Sequence, residues 1–173
     1  GYSHPEWIDY YSSFVVADRD GVSSSAAVLA SINNLPATIG RLYVHLIGDS
    51  ATPGTVRMAS GDNLTATALD GALDALQLRQ TCPVVLVVDA PFSGSFLPVC
   101  KATSGQSRVV LAGSQANQTA LFLSGPVPGS FTQKFLGSAW QGNHLRDGYR
   151  AGKSFFSTFL MDLINPQLDD NGD

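Results

Sequence analysis

Glutamate is all but missing from this chain: Glu6 is the only one among 14 acidic residues, and the rest are aspartates. Aspartate belongs to turns, helix caps and ion sites, whereas glutamate favours helix surfaces. The carboxylates are therefore expected at loops and helix ends. Charge of either sign is scarce, at 14% of residues, where ordinary globular chains carry about 25%. The 10 basic residues do not gather on one segment, and the net charge is −4. Nucleic-acid binding needs a concentrated basic face, so that class is excluded. No apolar run approaches the roughly 20 residues of a membrane-spanning helix. Two cysteines are too few for a disulfide-built scaffold. Neither GxGxxG after a strand nor GxxxxGK[ST] occurs, which removes the common phosphate-binding loops. No HExxH or three-ligand zinc set is present. Gly1–Tyr10 is polar and mixed and does not read as a signal peptide.

What is present is enough apolar material for one compact domain. The chain has 173 residues, 44% of them hydrophobic, and at this size a single core suffices. Three short, mainly apolar runs read as strands buried on both faces: Leu42–Ile47, Val84–Val88 and Arg108–Ala112. A first strand is expected within Ile8–Val16, a hairpin-like stretch at Gly54–Ser60 and an edge strand at Ala120–Leu123. Helical patterns lie between them. One follows a cap at Ser23–Ser25 and runs to Leu35 before Pro36. A second follows Thr65 with the stripe Leu69, Leu73 and Leu76. A third follows Ser130, and a fourth spans Leu145–Leu163. Strands alternating with helices predict an α/β fold: a mostly parallel sheet with helices on both faces, a three-layer α/β/α arrangement over residues 1–166. Residues 167–173 read as an acidic tail.

In such sheets function gathers beyond the carboxyl ends of the strands, here Gly48–Thr52, Asp89–Ser93 and Gly113–Asn117. Asp49 and Asp89 end neighbouring strands. They could form an acid–base pair, or accept N–H groups at helix starts, which is the commoner role of such aspartates. Ser93 follows a strand directly, as a nucleophile would, but it lacks the GxSxG pattern and serves equally as a cap. His45 sits inside an apolar strand and is expected to be buried, neutral and singly hydrogen-bonded. Cys82 and Cys100 flank the Asp89 strand; both a disulfide and two buried thiols fit. Asp169, Asn171 and Asp173 alternate like the start of a calcium loop, without the later ligands that complete one. A solvated tail fits them as well, and no other cofactor is indicated.

Three segments carry a resemblance: Leu46-Ile47-Gly48-Asp49-Ser50, then Val88-Asp89-Ala90-Pro91-Phe92-Ser93-Gly94, then Gly113-Ser114-Gln115-Ala116-Asn117-Gln118-Thr119-Ala120-Leu121-Phe122. In order and spacing they resemble the caspase-like superfamily of cysteine peptidases, in its bacterial legumain-like or gingipain-like branch. The resemblance implies a caspase-like α/β/α fold in which the first strand–helix unit is absent from this sequence. The family's histidine falls on Asp49 and its cysteine on Pro91. Its acidic pocket residues fall near Asn117 and Gln118. Proline has no nucleophile, so the resemblance implies a pseudopeptidase whose old groove, lined by Asp49, Ser50, Asp89, Ser93, Ser114, Asn117 and Gln118, binds a peptide or protein segment, the remainder of a parent protein included. The alternative is a hydrolase that works through Asp49, Asp89 or Ser93. The low charge and the Ser/Thr/Asn-rich surface fit an extracellular, cell-surface or periplasmic setting.

Overall fold

The structure is a computed structural model, and it describes residues 10–11, 21–120, 130–139, 141, 144–160 and 164–170. In chain order the elements are β1 (Tyr10–Tyr11), β2 (Gly21–Val22), α1 (Ser25–Asn33), β3 (Leu42–Ile47), β4 (Thr55–Arg57), β5 (Asn63–Thr65), α2 (Ala66–Arg79) and β6 (Val84–Asp89). A 3₁₀ turn (Ser93–Phe96), α3 (Leu97–Cys100), β7 (Arg108–Ala112), α4 (Phe131–Ala139), α5 (Leu145–Leu160) and β8 (Gln167–Asp169) complete the order.

The central sheet runs β3-β6-β7-β8, with β3, β6 and β7 parallel and β8 antiparallel to β7. All six residues of β6 are buried, as expected for its continuous apolar run. Its side chains alternate between two cores. Val84, Leu86 and Val88 join Val44, Leu46 and Val110 beneath α1, α2 and α3. Val85 and Val87 join Leu111, Phe131, Phe135 and Phe156 beneath α4 and α5. The mostly parallel sheet with helices on both faces is thus the α/β/α architecture anticipated. The stripe Leu69, Leu73 and Leu76 is fully buried. Ser24, Thr65 and Ser130 cap their helices through side-chain oxygens, accepting from Ala27, Ala68 and Gln133 N–H.

Two expectations need correction, and others lie outside the described residues. The stretch from Gln167 is not simply a solvated tail: Gln167–Asp169 is a sheet strand opposite Val110–Ala112. Its Leu168 packs on the α4–α5 core, and that apolar anchor offsets the local density of aspartates. The hairpin reaches further than Gly54–Ser60, because β4 pairs with β5 across a turn at 58–62. Of the Ile8–Val16 strand only Tyr10–Tyr11 is described. Residues 121–123 of the expected edge strand and 161–163 of the last helix also lie outside.

An unforeseen feature fastens α2 to the sheet. Arg108 opens β7 with none of its surface exposed. Its Nη1 donates to Asp70 Oδ1 at 2.7 Å and Cys100 O at 3.1 Å. Nη2 donates to Asp74 Oδ1 and Gln77 Oε1, both at 2.7 Å, and Nε to Gln77 Oε1 at 3.0 Å. Asp70, Asp74 and Gln77 stand at helical spacing on one stripe of α2. A planar fork of donors suits this array, and a lysine ammonium does not. Arg108→Ala is expected to destabilise the fold by about 3–5 kcal/mol, with Arg108→Lys recovering only part of the loss. Urea denaturation of both variants checks this.

Candidate functional site

The carboxyl ends of β3, β6 and β7 bring together most of the residues singled out in the sequence. Asp89 closes β6 with 2% of its surface exposed. Its Oδ2 accepts the Thr132 N–H at 2.9 Å, capping the start of α4. A carboxylate at a helix N-terminus satisfies an orphan donor and interacts favourably with the positive end of the helix dipole. Burial nevertheless pushes its pKa up, and the hydrogen bonds from Thr132 only partly offset this. The other oxygen lies against Gly113, where a Cβ would come within 2.6 Å of Oδ1. Gly113 is therefore glycine because the buried carboxylate passes over it.

On the neighbouring strand, His45 Nε2 lies 2.9 Å from Thr132 Oγ1. Burial lowers its pKa to about 4, which leaves the ring neutral at ordinary pH. The ring is neutral and singly bonded as expected, but half-buried where full burial was expected. Thr132 thus joins Asp89 and His45, and the three form a polar brace between two strands and α4. Asp49 stands apart. It is exposed, and its Oδ1 accepts the next residue's N–H, from Ser50, at 2.8 Å. No hydrogen bond joins it to Asp89 among the described residues. The structure gives both aspartates their local backbone role and does not bring them into one acid–base pair. Ser50 is buried, with its hydroxyl 2.7 Å from Thr52 O and 3.1 Å from Thr55 Oγ1.

The turn after β6 is tightly tied. Ser93 is fully buried. Its Oγ accepts the Ser114 N–H at 3.0 Å and lies 3.1 Å from Ser114 Oγ, while its own N–H donates to Ser114 Oγ at 3.2 Å. Ser114 Oγ in turn donates to Ala90 O at 3.0 Å. A reciprocal serine pair therefore clamps the β6 turn to the β7 turn, and among the described residues no histidine is a hydrogen-bond partner of either hydroxyl. Gly94 completes the clamp: a Cβ there would meet Ala116 N at 2.6 Å and Ser114 O at 2.8 Å. Between Pro91 and Ser93, Phe92 holds a left-handed backbone with φ 61° and ψ 18°, a region bulky residues seldom occupy. Its N–H donates to Gln118 O at 2.7 Å. Gln118 Oε1 also accepts the Asn165 N–H at 3.0 Å, so Gln118 organises loops. Asn117 is exposed.

The remaining candidates divide. Cys82 and Cys100 are free, buried thiols and are not joined, so the disulfide alternative is set aside. Burial pushes the Cys100 thiol up to about 12, and Cys82 is also raised. Such thiols make poor nucleophiles. Of the calcium trio, Asp169 lies in β8, while Asn171 and Asp173 are outside the described residues. Asp170 is 3.4 Å from Arg146. No cluster of three or more potential metal ligands occurs among the described residues. At the opposite end of the sheet a hollow of about 310 Å³ is lined by Gln77, Gln80, Cys82 and Gln106. Its three amides are already bonded to the protein.

No protein-family model matches the chain, and no curated protein matches it.

Sequence reasoning missed Thr132, the strained Phe92 and the Arg108 array. An arginine opening an otherwise apolar strand, with Asp70, Asp74 and Gln77 striped along a helix, was the available signal for the last. Ser93→Ala leaves the buried Ser114 N–H without its acceptor. It is expected to cost about 1–3 kcal/mol in a denaturation experiment. Asp89 binds its proton more tightly in the folded chain than in the unfolded one, so its contribution to stability is full below the ordinary carboxylate pKa near 3.8 and is lost as pH rises through the raised folded value. Asp89→Asn retains an acceptor for Thr132 and removes that loss. Relative to wild type, the variant is expected to gain stability as pH rises from acid to neutral, read from unfolding midpoints across that range.

Proposed function

We propose that the chain is a non-catalytic, caspase-like module that binds or organises a protein segment and turns over no substrate. The observation that carries this reading is the commitment of the strand-end groups to structure. The position matching the family's nucleophile is Pro91, and the nearest hydroxyl beyond it, Ser93, is buried with its donors and acceptor engaged by Ser114. The position matching the family's histidine is Asp49, whose carboxylate serves the adjacent N–H. His45, half-buried on the neighbouring strand, is bound to Thr132 at the start of α4. A general base must reach the proton that it removes, and Thr132 holds His45 on the α4 face of the sheet. The occupant that suits the old groove is an extended segment held through main-chain hydrogen bonds.

Two measurements test this reading. Purified chain incubated with a broad fluorogenic peptide library is expected to give no turnover above buffer; turnover would overturn the proposal, and Ser93→Ala, Asp49→Asn and Asp89→Asn variants would then identify which side chain carries it. The family match itself is tested by restoring its two residues. In the Asp49→His, Pro91→Cys double variant the histidine should favour the thiolate, so iodoacetamide alkylation at neutral pH should run faster than in Pro91→Cys alone. Equal rates would reject the alignment on which the reading rests. Buried Cys82 and Cys100 keep the background low.

A further inference from the structure

The outer edge of β3 departs from the way sheet edges are normally protected. Natural edge strands carry lysine, proline, bulges or a cover. Leu42-Tyr43-Val44-His45-Leu46-Ile47 has none of those residues and reads as an interior strand. Among the described residues no strand pairs with it on the side away from β6. The hydrogen-bond register shows what is left open. Leu42 N–H donates to Pro83 O and Gly48 N–H to Asp89 O, so the even-numbered residues turn their N–H and C=O groups toward β6. Tyr43, His45 and Ile47 turn theirs away. The edge closes at Asp49, whose C=O accepts the Arg57 N–H at 2.8 Å. Ile47 is 56% exposed.

We propose that this edge pairs with the same edge of a second copy of the chain, antiparallel across a two-fold axis, to give one continuous eight-stranded sheet. This goes beyond the pseudopeptidase reading and does not depend on it. Two observations select the second copy as occupant. A two-fold interface must be self-complementary, and setting Tyr43 opposite His45 of the other copy sets Arg41 opposite Ile47. The row Arg41, Tyr43, His45, Ile47 then meets its own reverse. In that register Arg41 lies diagonal to Asp49 of the other copy, on the same face, within reach of a long side chain. Arg41 and Asp49 are both exposed, and neither forms an ion pair among the described residues. The two ends of the edge therefore carry opposite charges that only an antiparallel copy brings together twice. The Asp49–Arg57 bridge blocks the register one step further along, which would place Arg41 directly opposite Asp49.

Sedimentation velocity of the whole chain across the micromolar range tests the proposal. Wild type is expected to sediment at twice its 18.2 kDa mass, and Ile47→Lys as a monomer with an unchanged circular dichroism spectrum. Arg41→Asp and Asp49→Arg should each weaken the dimer about tenfold, and the double reversal should restore it. Amide exchange at Tyr43, His45 and Ile47 should be slow in the dimer and fast in Ile47→Lys. A wild type that stays monomeric overturns the proposal. So does a dimer untouched by Ile47→Lys, which would use another surface, and so do slow amides in a monomer, which would mean that the edge is filled from within the chain.

Discussion

The Asp89 carboxylate at the end of the fully buried strand is the contact on which the far layer of the molecule turns. Burying it raises its pKa, and the fold accepts that cost because Thr132 N–H, at the mouth of α4, has its acceptor there. The contact fixes where α4 begins, and Phe131 and Phe135 then close over Val85, Val87 and Leu111. Gly148 and Gly152 on α5 lie against those two rings, where a Cβ would come within 2.9 and 2.7 Å of them. The close α4–α5 contact thus follows from where the carboxylate sets α4. Gly113 and the neutral His45 are consequences of the same placement: one leaves room for the carboxylate, and the other braces the hydroxyl of Thr132, whose N–H the carboxylate accepts.

A second polar anchor works at the other end of the sheet and on the other face. Arg108 holds α2 through Asp70, Asp74 and Gln77, and reaches α3 through Cys100 O. The two anchors differ in kind. Arg108 is itself fully buried, but Asp70 and Asp74 keep 24% and 34% of their side-chain surface, so solvent pays part of the desolvation. Asp89 has no cationic partner among the described residues and depends on hydrogen bonds alone. That difference makes the β6 end the more sensitive to protonation, and the β7 start the more sensitive to loss of a side chain.

The sequence announces the strands and helices because their patterns are local. Val84–Val88 is apolar throughout and is the central strand; Leu69, Leu73 and Leu76 repeat at helical spacing and are buried; Ser24, Thr65 and Ser130 stand where caps belong. The aspartate skew reads correctly at Asp49 and Asp89, both of which serve backbone N–H groups. It fails at Asp70 and Asp74, which sit inside α2 because Arg108 needs their carboxylates there, and at Asp169 in β8. What stayed hidden depends on pairings distant in sequence. Ser93 meets Ser114 across 21 residues, and His45 meets Thr132 across 87. Nothing in either local pattern identifies its partner. Gln167–Asp169 was hidden for a different reason: one leucine among aspartates is a weak strand signal, and the open side of β7 completes it.

Strand order also bears on where function can lie. In open α/β sheets a ligand crevice forms where the strand order reverses, because adjacent crossovers then leave the sheet on opposite faces. Here β3, β6, β7 and β8 are laid down in one direction. The described sheet contains no reversal, and its strand ends are closed by Ser93, Ser114 and Gln118. The crossovers through α2 and α3 lie on one face, over the same core as α1. Among the described residues, the outer side of β3 is a parallel edge whose backbone groups have no strand partner. The strand ends and the edge therefore state one constraint from two sides: within the described sheet, built outward from β3 in one direction, the turns after β6 and β7 are tied to each other, and the main-chain groups left open are those of Tyr43, His45 and Ile47 on the outer side of β3.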